Sequence, residues 1–410
     1  MNLKNSTDKP KSIFHGLSSN VVVFGFVSFF TDVSAEMIYP LLPVFLTQDL
    51  GASALFLGLI EGVAESTCAF LKLYSGIRAD RMKDRSKLVL FGYTLSSFSR
   101  PLMALAQSSW VVLAIRAADR TGKGLRTSPR DALLADSTHS DHHGRAFGFQ
   151  RSMDNAGSVV GPIISACLLA YFIKELRIIF WLAAIPGIIA VMLIIFKVRE
   201  VRHPSLPPAT ITKFSWVFPK GKLGNYLIIL FIFTLSNSSD AFLLLHAQAC
   251  GIPTAQIPIL WMALHVVKTS TIMPLGILSD RLGRRKLILV GWIIYAAVYV
   301  LFGYANSASQ IWLIFILYGL FSGLTEGTER SFLARISNET NRGYAFGWYN
   351  FIVGMAALPA SLIFGAIWKY GNSQLAFLCD AGLALIAALM LATFIRRTHF
   401  KRGKPSPAVL

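Results

Sequence analysis

Gly76-Ile77-Arg78-Ala79-Asp80-Arg81 returns about two hundred residues later as Gly276-Ile277-Leu278-Ser279-Asp280-Arg281. Ala146-Phe147-Gly148 returns at nearly the same offset as Ala345-Phe346-Gly347. Between them Arg130 lines up with Arg330 and Leu133 with Leu333. Matches at almost one offset along a 410-residue chain mark a tandem duplication.

Each hexapeptide closes an apolar block of about 20 residues, the length a helix needs to cross hydrocarbon. Reading such blocks along the chain predicts twelve spans, near 20–47, 53–77, 87–107, 109–133, 145–172, 177–197, 224–250, 256–279, 286–305, 309–333, 345–370 and 374–395. Composition agrees: 54% of residues are hydrophobic and 15% charged, with a mean hydropathy of +0.55. A soluble chain carries about 25% charged residues, so this one has too few charges to cover a watery surface. The predicted fold is an all-α integral membrane protein, and a soluble enzyme is excluded.

The net charge of +18 would suggest nucleic acid in a soluble protein. Here the basic residues fall in short segments between apolar blocks, so no nucleic-acid partner is expected. Arg78, Arg81, Lys83, Arg85 and Lys87 separate spans 2 and 3, and Arg281, Arg284, Arg285 and Lys286 separate spans 8 and 9. Arg396, Arg397, Lys401, Arg402 and Lys404 follow span 12. The alternate loops hold little beyond Lys174, Arg177 and Lys369. The positive-inside rule then puts both termini in the cytoplasm. The polar start, with Lys4, Lys9 and Lys11, leads into a full span and not a short signal core, so helix 1 is expected to be retained. Small outer loops suit a bacterial inner membrane. Cys68, Cys167, Cys250 and Cys379 are far apart, which indicates neither a metal site nor a disulfide framework. No cofactor is implied.

The stretch from Lys197 to Gly224 carries Pro204, Pro207, Pro208 and Pro219 and lies halfway along the chain. It reads as a linker, dividing the chain into a six-helix bundle over 1–199, a cytoplasmic linker over 200–222 and a second bundle over 223–410. Duplicating six spans preserves their topology. The two bundles are then related by an axis along the membrane normal, with a substrate site between them.

Gly76-x-x-x-Asp80-Arg81-x-x-x-Arg85-x-Lys87 and Gly276-x-x-x-Asp280-Arg281-x-Gly283-Arg284-Arg285-Lys286 resemble the loop signature that major facilitator transporters carry between helices 2 and 3 and between helices 8 and 9. The first copy departs from it at Lys83 and Asp84. The resemblance implies two pseudo-symmetric bundles acting by alternating access, and a conformational latch formed by Gly76, Asp80, Arg81, Arg85, Gly276, Asp280 and Arg281. Asp131, at the inner end of span 4, is the expected partner for Arg81 or Arg85. Gly157, Gly161 and Pro162 in span 5 look like the Gly- and Pro-rich helix 5 pattern of antiporters in this family. They form a GxxxG pair and a bend, and favour export over import. Arg151, Asp154 and Asn155 interrupt that pattern.

Ionisable groups inside a membrane are costly and default to functional hypotheses. Asp32 and Glu36 lie one turn apart on span 1, and Glu61 and Glu65 repeat that spacing on span 2. Close carboxylates in a poorly solvated site repel, and relieving the repulsion by taking up a proton is what proton coupling needs. Asp32 leads this set, followed by Glu36, Glu61 and Glu65. A fixed ion pair with Arg100, Arg116 or Arg120 is the structural alternative. The candidate substrate-binding residues are Arg100, Arg116, Asp119, Arg120, Asp240, His265, Lys268 and Glu326. Lys268 suits an anionic group.

The reading is a proton-coupled carrier of a small polar or anionic organic solute, such as a siderophore, a metabolite or a drug-like compound, with export favoured. Its partners are the solute, protons and the lipid bilayer, and it is read as a monomer. An importing proton symporter is the first alternative, and a membrane receptor or intramembrane enzyme a remote one.

Overall fold

The computed structural model describes residues 18–79, 84–138, 143–171, 175–198, 218–337 and 342–397. Among the described residues there are helices and turns but no strand. The spans are α1 (Ser19–Glu36), α2 (Ala54–Ala79), α3 (Arg85–Ser99), α4 (Ser109–Asp136), α5 (His143–Tyr171) and α6 (Leu176–Leu182, continuing as Ala184–Lys197). The second half has α7 (Gly221–Leu235, resuming as Ala241–Ala249), α8 (Ile257–Leu282), α9 (Arg284–Tyr304), α10 (Ala308–Ile336), α11 (Arg342–Tyr370) and α12 (Ser373–Arg397). Ten of the twelve predicted spans coincide with these to within about three residues at their ends; spans 1 and 3 run past α1 and α3 through shorter turns that reach Asp49 and Leu105. Most of the linker lies outside the described residues.

Nine helical stretches among the described residues are long and apolar enough to cross a membrane. The other three spans are α4, α7 and α8. The helix α4 carries Arg116, Asp119, Arg120, Lys123 and Arg126 along its middle, and α7 is broken.

Besides the turn at Ala183 within α6 and the 3₁₀ turn after α3, wider interruptions fall in α1 and α7. Pro40 and Pro43 lack the N–H that an α-helical ladder needs, and their rings crowd the preceding turn. After Glu36 the chain therefore passes through a 3₁₀ turn at Tyr39–Leu41, a short helical turn at Leu42–Val44 and a wide turn at Phe45–Asp49. In α7 the break falls on Ser236-Asn237-Ser238-Ser239-Asp240, side chains that compete with the ladder for backbone groups. There the Ala241 amide donates to Ser239 Oγ at 3.3 Å.

Within the first half α1 packs on α5 and α6, and α4 on α2 and α3; within the second, α8 packs on α10, and α9 and α7 on α12. The halves join along two seams, α2 with α11 and α5 with α8. These seams exchange under the internal repeat, because span 2 corresponds to span 8 and span 5 to span 11. Small residues make the approach possible, as they do wherever membrane helices pack closely. A Cβ on Gly62 would stand 2.9 Å from Leu358 Cα, and Ser66 Oγ donates to the Gly354 carbonyl at 2.6 Å. Large side chains such as Ile185, Ile188, Met192 and Ile195 of α6 face outward, as a lipid-facing surface requires.

At the end opposite the start of α1 and the end of α12 the halves are sealed by Leu41, Leu42, Phe45, Phe242, Leu243 and Leu244, each no more than 1% exposed. Tyr39 and Trp261 meet there across the halves at a ring distance of 5.2 Å. The Arg151 side chain, by contrast, is 53% exposed although it bridges the halves. Water therefore reaches the space between them from the end at which α1 begins and α12 ends.

Replacing Gly62 with leucine overpacks the α2–α11 seam and is expected to cost about 1–3 kcal/mol. The measurement is the melting temperature of detergent-purified protein, which should fall. An unchanged melting curve would mean that the seam is looser than described.

Candidate functional site

Charged side chains inside the bundle must be satisfied by protein or by enclosed water, since lipid offers no partner. In the first half they form one sealed chain. Arg116 of α4 donates to Glu61 of α2 through Nε at 3.0 Å and through Nη2 at 2.7 and 2.8 Å. Arg116 also lies 3.7 Å from Asp119 one turn along, and its guanidinium sits over the Tyr39 ring at 5.4 Å. Asp119 accepts from Arg100 Nε of α3 at 2.9 Å, and Arg100 Nη1 donates to the Thr31 carbonyl of α1 at 2.8 Å. Four helices are thus tied together, just before Asp32.

Glu61, Arg100, Arg116 and Asp119 are all buried. Each is committed to protein partners, so in this state none offers a free group to a solute or a proton. Their geometry fits the structural alternative of a fixed ion pair. Arg120 pairs with Glu65 at 3.0 Å, and there the Glu65 side chain is 47% exposed, so this pair borders the water-filled space.

Asp32 is not paired with Glu36. Its carboxyl group meets that of Asp154, on α5, at hydrogen-bonding range, and Lys123 of α4 supplies positive charge beside them. Glu36 instead accepts from Trp261 Nε1 of α8 at 2.8 Å, which ties α1 to the second half. The GxxxG pair explains how α5 comes so close: a Cβ on Gly157 or Gly161 would stand 2.9 Å from the Cβ of Asp32 or Glu36 respectively. Asp154, which the sequence shows as an interruption of that pattern, shares the helical face of Gly157 and Gly161 by its i, i+3, i+7 spacing. That spacing was the available signal for it.

From Asp154 the charges cross between the halves. Arg151 Nη1 donates to Asp154 at 3.1 Å and Nη2 to Glu326 of α10 at 2.9 Å. Lys268 of α8 lies 2.8 Å from the other Glu326 oxygen. Asp32, Asp154, Arg151, Glu326 and Lys268 therefore form a continuous polar chain, from the inner wall of the first half to that of the second. His265 lies beside it, one turn from Lys268, with its ring 4.9 Å from Trp261.

Asp240 sits at the α7 break and accepts from Tyr318 Oη at 2.6 Å. Glu329 accepts from Trp292 Nε1 at 2.9 Å and from Tyr349 Oη at 3.1 Å. Asp380 of α12 is 2% exposed. Sequence reasoning passed over it, although it is the one acid in span 12.

Of the expected latch, Gly76 lies against Ser128 of α4. Arg85 pairs with Asp136 at 2.6 Å and Asp131 with Arg130 at 2.8 Å, so Asp131 is not the partner of Arg85. Asp80 and Arg81 lie outside the described residues, as do the side chains of Asp280 and Arg281 and the surroundings of Gly276. The backbone at Gly283 turns with φ of +96° between α8 and α9, a conformation that glycine permits.

The chain matches the family model described as Major Facilitator Superfamily over residues 24–267 and 226–410. It is 34% identical over 385 residues to an uncharacterized MFS-type transporter of Methanocaldococcus jannaschii, covering 92% of this chain and 94% of that one. A multidrug resistance protein, MdtH of Cronobacter sakazakii, is 22% identical over 391 residues, covering 91% and 92%. Among solved structures, the nucleoside transporter NupG superposes with a TM-score of 0.73 at 15% identity, covering 92% of this chain and 99% of its own. A POT family transporter superposes with a TM-score of 0.78 at 11% identity, covering 95% and 100%.

Breaking the buried pair with Glu61→Gln or Arg116→Met is expected to destabilise the protein by about 3–5 kcal/mol, because the remaining partner is stranded. Glu61→Leu combined with Arg116→Met should recover much of that loss. Thermal melting of the single and double variants checks this; additive losses would show that the pair is not the unit described.

Proposed function

The chain belongs to the Major Facilitator Superfamily and is a membrane transporter, not an enzyme; on that premise we propose that it is a proton-coupled carrier that exports a small polar or anionic organic solute. The observation that carries this reading is the polar chain from Asp32 to Lys268. A hydrogen bond between two carboxyl groups needs a proton on one of them. When that proton leaves, Asp32 and Asp154 repel, and Asp154 holds Arg151 more strongly. Arg151 then loosens its grip on Glu326, which is one of the ties between the halves. Proton uptake does the reverse.

An anionic group of the solute competes with Glu326 for Lys268 and Arg151. Proton and solute thus act on one shared set of ion pairs from opposite ends. That gives the differential affinity which alternating access between two states requires. Arg151, Lys268 and Glu326 are the binding groups in this reading, with His265 and Arg120 bordering the same water-filled space. Export is supported by the GxxxG packing of α5 on α1 and by the likeness to a multidrug resistance protein. The basic loops on the side of the termini support a cytoplasmic placement of both ends in an inner membrane, with the protein acting as a monomer. Siderophores, carboxylate metabolites and drug-like compounds all have the required chemistry.

The test is untargeted mass spectrometry of cells and medium, comparing strains that express the wild type, Asp32→Asn, or neither, with and without iron limitation. A compound should be enriched in the medium with the wild type alone, and the variant should fall to background while remaining in the membrane. Everted vesicles should then lose their interior acidity when that compound is added. Accumulation of the compound in cells would establish import, and flux without proton movement would remove the coupling role of Asp32.

A further inference from the structure

On the first-half side of the water-filled space three cationic side chains gather around one carboxylate. Gly124 of α4 lies so close to α2 that a Cβ there would stand 2.6 Å from Leu71 Cβ and 2.9 Å from the Cys68 carbonyl oxygen. Ser128 Oγ donates to the Lys72 carbonyl at 2.8 Å, and Ser75 Oγ to the Gly124 carbonyl at 2.9 Å. That contact brings Lys72 of α2 beside Lys123 of α4, with Arg120 one turn before Lys123. All three stand within electrostatic reach of Glu65. Glu65 pairs with Arg120, at 3.0 Å. Arg120 Nε is buried without a hydrogen-bond partner among the described residues. The half-buried ammonium groups of Lys72 and Lys123 make no ion pair or hydrogen bond among those residues either.

The other acids nearby are already engaged. Asp32 and Asp154 share a proton and so carry one negative charge, which Lys123 and Arg151 both draw on. Glu326 is bound by Arg151 and Lys268. Glu36 and Asp240 lie toward the sealed end, held by Trp261 and Tyr318. Arg126, its guanidinium 4.2 Å from the Tyr93 ring centre, adds a cation on the α3 side of α4 and no acid. Like charges crowded into a poorly solvated space repel strongly and call for an anion. Two ammonium groups and a guanidinium offer more than a single carboxylate can answer. A phosphoryl group matches them, with about −1.5 to −2 charges at neutral pH and three acceptor oxygens. Arginine and lysine are its usual donors.

Resting on the reading of an anionic solute given above, we propose that the solute is a phosphate monoester whose phosphoryl group is held by Lys72, Arg120 and Lys123. Lys268 and Arg151, across the space, remain for a second polar group of the same molecule. The phosphoryl group enters from the end at which α1 begins, where water already reaches Glu65.

The experiment uses the full chain in lipid nanodiscs and reads binding by titration calorimetry together with melting temperature. The probes are phenyl phosphate, glycerol 3-phosphate, inorganic phosphate and phenyl sulfate, which keeps the shape of phenyl phosphate with one charge fewer. Both monoesters are expected to bind saturably at millimolar concentration and to raise the melting temperature. Phenyl sulfate should bind about tenfold more weakly than phenyl phosphate. Lys72→Gln and Lys123→Gln should each weaken phenyl phosphate about tenfold, the size of one lost charge-assisted contact, and narrow its lead over phenyl sulfate. Without ligand, neither variant should melt lower than the wild type, since each removes an unanswered charge. Absence of saturable binding of both monoesters overturns the proposal. So does equal affinity for phenyl phosphate and phenyl sulfate, or a ligand-free variant that melts lower. Binding of inorganic phosphate without either monoester assigns these cations to the free ion and likewise overturns it. The export reading fails separately: if the monoesters bind as expected and mass spectrometry finds no exported compound, the phosphoryl site stands and export falls.

Discussion

The rest of this structure depends on one constraint: a charge carried into hydrocarbon must meet another charge, a polar group or enclosed water. The first half answers it with a closed chain from Glu61 through Arg116 and Asp119 to Arg100, ending on the Thr31 carbonyl. Replacing such a chain with apolar residues of the same shape often costs little stability, so the case for it is geometric. It holds α1 in place next to Asp32, so the carboxyl that pairs with Asp154 is positioned by groups that do not themselves face the water.

The two halves share a backbone plan and satisfy their interiors differently. In the second half the middle of the bundle is aromatic. Phe233 stacks on Trp292 and Tyr295 on Tyr299, each at 4.1 Å between ring centroids. Among the described residues, Asp240 accepts from a tyrosine and Glu329 from a tryptophan and a tyrosine. A neutral donor binds a carboxylate less tightly than a guanidinium does. Glu326 is bound from both halves, by Arg151 of the first and Lys268 of the second.

Helix breaks do related work. Pro40 and Pro43 end the regular part of α1 just beyond Glu36, and the polar run 236–240 ends that of α7 at Asp240. These positions correspond under the repeat of six spans. Both breaks lie where the halves meet at the sealed end, and unwound turns there can change geometry without disturbing the long helices.

By itself the sequence determined the number of spans, the duplication, the division into halves and the polar residues worth attention. These follow from helix length, apolar periodicity and the spacing of Gly, Asp and Arg, which are properties of neighbours along the chain. Only the tertiary structure decided which acid meets which base. Asp32 and Glu36 are one turn apart on α1, yet Asp32 meets Asp154 of α5 and Glu36 meets Trp261 of α8. The sequence offers Asp131 as a partner for Arg81 or Arg85, and Arg85 binds Asp136, five residues further along α4. Helical spacing says which side chains share a face. Which face meets which is set by close approaches between distant segments, such as Gly157 and Gly161 against α1, and those exist only once the bundle has closed.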